Sequence, residues 1–199
     1  MVHVIDDDDA VRDSLHFMLE AAGFDVRTYE SATLFLDSLP VPQAGCIVTD
    51  VRMPDMNGLE LIRHLRKQGL DRPVIVITGH ADVPLAVEAM KAGVADFIEK
   101  PFDEDRLVGS IRSALRNGSG KAAHDSEAHG DIVSRLAALS ARERDVLDGL
   151  VSGRSNKVIA FHLGISPRTV EVYRANLMSK MQAGSLSELV RMTLLAGRQ

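Results

Sequence analysis

At 199 residues the chain is long enough for one large domain or two small ones, and 45% hydrophobic with 26% charged residues is the composition of an ordinary globular protein. Its longest aliphatic run, VIVI at 74–77, is far too short to span a bilayer, and no basic segment followed by an apolar one opens the chain, so no membrane association and a cytoplasmic location are expected. The single cysteine, Cys46, excludes an internal disulfide and reads as a buried thiol in the apolar stretch GCIVT.

The net charge of -5 hides a division. Residues 1–116 carry 12 Lys+Arg against 20 Asp+Glu, a balance of -8, whereas residues 131–199 carry 10 against 6, a balance of +4. The stretch between them, NGSGKAAHDSEAHG at 117–130, has no large apolar side chain with which to anchor to a core, and reads as a flexible linker. Two domains facing different partners are therefore expected.

The first of these alternates strands and helices. Apolar runs recur at VHVI (2–5), DVRTY (25–29), GCIVT (45–49), PVIVIT (73–78) and ADFIEK (95–100), and the third and fourth are aliphatic on both faces, as parallel strands covered on each side should be. Helical spacing appears in AVRDSLHFMLEAAG, with Gly23 as the stop, in VPLAVEAMKAG, with Gly93, and in LVGSIRSALR. Five βα units in about 116 residues predict a doubly wound, flavodoxin-like five-stranded parallel sheet whose site lies at the carboxyl ends of the strands.

That rule gathers the chemistry. Asp6 and Asp7 follow the first strand, Asp50 ends the third, Thr78 the fourth and Lys100 the fifth. Carboxylates brought together need a hard cation, and an open oxygen site with few protein ligands suits Mg²⁺, which keeps waters and accepts a phosphate oxygen. With Lys100 and the Thr78 hydroxyl opposite, Asp50 could accept a phosphoryl group as an acyl phosphate. Asp8 and Asp9 read as an N-cap and a first-turn residue of the first helix.

The motifs IDDD, VTDVRMPDMNG, VITGHADVPLAVEAMKAG and DFIEKPF, in order and at the proper strand ends, resemble the receiver domain of bacterial two-component response regulators over residues 1–116. The resemblance implies that Asp50 is the phosphoacceptor and that Asp6, Asp7, Asp50 and the Arg52 backbone carbonyl surround Mg²⁺. It further implies that Thr78 and Lys100 contact the phosphoryl oxygens, that Phe97 is the switch aromatic and that Lys100-Pro101 is a cis peptide. Phosphorylation by a partner sensor histidine kinase is then expected to produce a homodimer, through a face carrying exposed Val83, Lys91 and Glu99 beside Asp96, Arg112 and Arg116. A haloacid-dehalogenase-type phosphatase also uses a strand-end Asp, but would need a second Asp where Arg52 stands.

From residue 131 strand signals vanish, and an all-α, four-helix domain is expected. Ile132, Leu136 and Leu139 are at helical spacing, and Ser140 with Glu143 is a capping-box pattern opening the next helix. A helix from Ser155 to Leu163, the turn Gly164-Ile165-Ser166 and a second helix starting at Pro167 form a helix-turn-helix, followed by a last helix in SLSELVRMTLLAG. The positive balance and basic residues around the corner favour duplex DNA. Candidate contacts are Asn156, Lys157, Arg168, Thr169, Glu171, Val172, Arg174 and Ala175. With Val170, Tyr173, Leu177 and Met181 inward, Val172 and Ala175 can meet thymine methyls and Glu171 can accept from cytosine.

The segment LSARERDVLDGLVSGRSNKVIAFHLGISPRTVEVYRANLMSKM resembles the LuxR-type domain of the NarL/FixJ response regulators, over about residues 135–195, and RTVEVYRANLMSKMQAGSLSELVR is most similar to the FixJ branch. That resemblance implies operator binding, RNA polymerase as a partner, and activation of nitrogen-fixation or low-oxygen genes. Glu171 and Tyr173 stand where many relatives carry Lys and His, which suggests a different operator. The rival reading keeps the receiver but gives the second domain a protein or RNA partner.

Overall fold

The computed structural model describes residues 1–39, 45–79, 83–117 and 125–197. The chain divides into two compact units, residues 1–80 with 92–120, and residues 81–91 with 121–199.

The expected apolar runs form five parallel strands, β1 (Val2–Ile5), β2 (Val26–Tyr29), β3 (Cys46–Asp50), β4 (Val74–Thr78) and β5 (Asp96–Glu99), in the order β2-β1-β3-β4-β5. The chain winds one way from β1 to β2 and then crosses back to β3, so the switch point lies between β1 and β3. Their register pairs Ile5 with Thr49, so Asp6, just past β1, and Asp50, the last residue of β3, are neighbours at the carboxyl edge. Every residue of β3 and β4 is buried, as suits runs that are aliphatic on both faces up to the Asp50 and Thr78 at their carboxyl ends.

Strand residues alternate between two faces. Val2, Val4, Cys46, Val48, Ile75, Ile77 and Ile98 turn to one side, where α1 (Asp9–Ala21) contributes Leu15 and Leu19 and α5 (Glu104–Asn117) contributes Leu107, Val108 and Ile111. His3, on the other face, packs its ring against Tyr29 and against Phe35 of α2 (Ala32–Asp37), with centroids 5.9 and 5.6 Å away. The helical patterns read along the chain did not include α2 or α3 (Gly58–Lys67), although Leu59, Ile62 and Leu65 of α3 recur at helical spacing. Both also carry local caps: Ser31 accepts from Leu34 N, and Asn57 forms a capping box with Glu60.

Helix α4 (Val83–Lys91) is the crossover between β4 and β5 in chain order and falls in the second unit. Val83, expected to be exposed, is buried, because Val83, Ala86, Val87 and Met90 form one apolar stripe at helical spacing.

Five helices follow among the described residues, α6 (Asp125–Ala137) and then the expected four, α7 (Ala141–Val151), α8 (Asn156–Leu163), α9 (Pro167–Met181) and α10 (Leu186–Ala196). Helix α6 is separate because Ser140 takes an extended N-cap conformation, φ -66° and ψ 162°, to close its capping box with Glu143, which stops one helix and starts the next. Of the stretch read as linker, 118–124 lies outside the described residues, Asn117 ends α5, and 125–130 is helical. Extending an existing helix by a residue costs far less than nucleating one, so weak helix formers ahead of Ile132 can join it.

Candidate functional site

Asp6 and Asp50 are buried, 2% and 7% exposed, at the carboxyl edge between β1 and β3. Two carboxylates in such a place repel strongly unless a cation lies between them. Lys100, carried in by β5, supplies it: its Nζ donates to Asp6 Oδ2 at 2.7 Å and to Asp50 Oδ1 at 2.9 Å. Burial works against the ammonium, but its hydrogen bonds to Asp6 and Asp50 and their charges outweigh that penalty, and the pKa of Lys100 is raised.

The remaining carboxylate oxygens are held by the backbone. Asp50 Oδ2 accepts from Arg52 N at 2.5 Å, and Asp6 Oδ1 from Asp8 N at 3.0 Å. Asp8 is the N-cap of α1, accepting from Ala10 N and Val11 N, and Asp9 lies in its first turn. Asp7 is exposed at the rim. Among the described residues no three His, Cys, Asp or Glu side chains are grouped to hold a metal ion. The donors nevertheless fit a hard cation of the Mg²⁺ type, because two buried carboxylates already face one positive charge and Mg²⁺ needs only one or two, completing its shell with water.

Thr78 is buried at the end of β4, and its carbonyl accepts from Lys100 N at 2.8 Å, which joins the β4 and β5 ends of the cradle. Phe97 is buried and, alternating with core-facing Ile98, lies on the opposite face of the sheet. The Lys100-Pro101 peptide is cis.

Three supporting residues escaped sequence reasoning. Arg12 donates to the Asp6 carbonyl at 2.7 Å and pairs with Asp9, fixing the loop after β1; the i,i+3 charge spacing was its only signal. Thr49 Oγ1 donates to the Asp50 carbonyl at 3.0 Å. Gly58 brings α3 so close that a Cβ there would stand 2.2 Å from the Asp50 carbonyl oxygen.

In the second unit, α8 ends at Gly164, whose φ of 65° and ψ of 34° are left-handed, and α9 begins at the N-cap Ser166 with Pro167 in its first turn. Val170, Leu177 and Met181 are fully buried, while Tyr173 is half-buried. Arg168, Glu171, Val172 and Ala175 are exposed, Val172 at 56%, together with Lys157 on α8. Thr169 is partly occupied by the cap, its Oγ1 lying 2.8 Å from Ser166 Oγ. Arg174 is half-buried and donates to Asn156 Oδ1 at 3.2 Å, so these two side chains brace α9 against α8.

An acidic, lysine-bridged edge on a doubly wound sheet followed by a helix-turn-helix is the pairing found in response regulators. The response regulator receiver domain family matches residues 2–112, and the luxR family of bacterial regulatory proteins matches residues 137–193. The transcriptional regulatory protein FixJ of Azorhizobium caulinodans is 58% identical over 98% of this chain and 92% of its own, and that of Bradyrhizobium diazoefficiens 55% identical over 98% and 95%. The crystal structure of full-length FixJ from B. japonicum is 54% identical with a TM-score of 0.57, covering 100% of this chain and 97% of its own. The chain belongs to the NarL/FixJ family and is a DNA-binding two-component response regulator of FixJ type. No described helix is long and apolar enough to cross a membrane.

Proposed function

We propose that Asp50 accepts a phosphoryl group from a sensor histidine kinase, and that the phosphorylated chain dimerises, binds an operator with two half-sites and activates transcription by RNA polymerase in the cytoplasm. The observation that carries this reading is the Lys100 ammonium between Asp6 and Asp50. It sets a positive charge against the buried Asp50 nucleophile and stands ready to take the charge of an incoming phosphoryl oxygen. An Asp50 carboxylate oxygen attacks phosphorus as the bond from phosphorus to its donor breaks, and the leaving group carries away the electron pair.

Asp6 and Asp50 with the Arg52 carbonyl, and Asp7 at the rim, would hold Mg²⁺, which when bound neutralises charge on the transferring group. Thr78 donates to a phosphoryl oxygen, and Phe97 turns as Thr78 moves. On this reading residues 1–116 receive the signal, 117–130 connect, and 131–199 bind DNA through Asn156, Lys157, Arg168, Thr169, Glu171, Val172, Arg174 and Ala175. The FixJ resemblance supports nitrogen-fixation or low-oxygen genes as targets. A different regulon is the second reading, favoured by 43% identity to the C4-dicarboxylate transport transcriptional regulatory protein DctR of Rhodobacter capsulatus.

Asp50→Asn tests the phosphoacceptor. Incubated with Mg²⁺ and acetyl phosphate, the wild-type chain should take up one phosphoryl group, read as a mass increase or a retarded phosphate-affinity gel band, and Asp50→Asn should take up none. Uptake by the variant at the wild-type rate would assign the phosphate to another residue.

A further inference from the structure

Helix α6 lies almost wholly outside the luxR-family match at residues 137–193, yet it reaches the far end of the recognition helix. The last four carbonyls of α9 have no partner within the helix and need one from elsewhere. The left-handed Gln182, φ 54°, turns its N–H back to the Met178 and Ser179 carbonyls. The Met181 carbonyl is taken by Arg135 of α6, whose Nη1 donates to it at 3.1 Å.

A guanidinium at a helix C-terminus also meets the negative end of the helix dipole. The exposed Asp131, one turn earlier on α6, lies 3.7 Å from Arg135 in an i,i+4 ion pair. One residue before Met181, Lys180 donates to Glu143 Oε2 at 2.7 Å, and the same oxygen accepts from Ser140 N in the α7 capping box. Glu143 is buried, and its carboxyl is held down to about 2 by Lys180 and the Ser140 backbone. The last turn of α9 is thus fastened to two earlier helices, while its exposed first turns carry Arg168, Glu171 and Val172.

We infer that Arg135, with Glu143 beside it, is a positioning residue for DNA recognition: it holds the C-terminal turn of α9 and so sets the angle at which the exposed face of that helix enters the major groove. It touches no base or phosphate itself. Base-edge contacts depend on angle much more steeply than the general attraction of positive charge to the duplex. Loss of Arg135 therefore lowers sequence-specific binding and leaves non-specific binding nearly unchanged.

The test uses the full-length chain and two duplexes, one selected from a random-sequence pool by the wild-type protein and one a scrambled version of it, across a series of salt concentrations. Arg135→Ala should bind the selected duplex about fivefold more weakly and the scrambled duplex as wild type does, with an unchanged slope of log affinity against log salt. Arg135→Lys, which restores a cationic donor, should recover part of the loss. Equal weakening on both duplexes would overturn the inference, since that is what a smaller folded fraction produces. A slope reduced by about one would overturn it too, by making Arg135 a phosphate contact, and so would unchanged affinity. Should circular dichroism show Arg135→Ala to have lost helix, Glu143→Gln, which keeps the shape and weakens the second tether, carries the same comparison with the same outcomes.

Discussion

Lys100 donates to carboxylates 94 and 50 positions away in sequence, and all three groups are largely withdrawn from water. In the helical unit Lys157, Arg168 and Glu171 stand outward on α8 and α9, while the deeply buried acid, Glu143, is tied to Lys180 and a helix cap. The edge proposed to accept a phosphoryl group needs charges converging on one point, with carboxylates held against a fixed cation. Reading a duplex needs charges and methyl groups displayed along one side of a rigid rod. Parallel strands deliver the first arrangement, because their carboxyl ends meet on one edge, and a helix braced from behind delivers the second.

The largest expected effect breaks the convergent arrangement. Lys100→Met leaves Asp6 and Asp50 facing each other without a cation, and should lower the stability of the sheet unit by about 4 kcal/mol at neutral pH. Urea unfolding followed by circular dichroism measures the loss. Added Mg²⁺ should return more stability to this variant than to wild type, since it supplies the missing charge. Equal gains in the two proteins would place the ion away from this pair.

Acid should separate the two units next. His3 is fully buried, and burial first, then Arg72, Arg27 and the N-terminus, push its pKa down to about 4 from an ordinary 6.5. The unfolded chain therefore takes up the proton first as pH falls, so this contribution is present above pH 6.5 and is lost between 6.5 and 4, in total about 3 kcal/mol. Glu143 acts in a lower window: its pKa of about 2 lies below the ordinary 4.5, so its contribution is present above 4.5 and is lost between 4.5 and 2. Calorimetric melts at stepped pH should show the sheet unit weakening first, and His3→Gln should remove most of its dependence above pH 4.5. Parallel weakening of both units from pH 6.5 would mean that His3 is not the source.

The smallest effect tests the outward display. Arg168→Ala removes one exposed cation, and should reduce the slope of log affinity against log salt by about one while costing little stability. Fluorescence anisotropy with a labelled duplex reads the slope. An unchanged slope would take Arg168 off the phosphate backbone.

Much of this organisation was legible along the chain. Strand positions and the order of the acidic edge followed from continuous aliphatic runs ending in Asp, Thr or Lys, and the helix-turn-helix from Gly164, Ser166 and Pro167, because period, caps and turns are local properties. The short helix α2 was hard to see, since six residues hold too few periods to count. The boundary of α6 was missed because helix extension past its apolar residues leaves no mark in composition.

What the sequence determined by itself was which residue types stand at the ends of strands and on the faces of helices, a matter of periods of two and 3.6 residues. Only the tertiary structure decided that Lys100 bridges Asp6 and Asp50 while Asp7 stays exposed, that Gly58 must be small beside the Asp50 carbonyl, and that Arg135 meets Met181 from a helix 46 positions away. Those contacts join residues with no fixed separation in the chain. They depend on the strand order that puts β1 beside β3 and on how the helices pack, and both are settled only when the whole core closes.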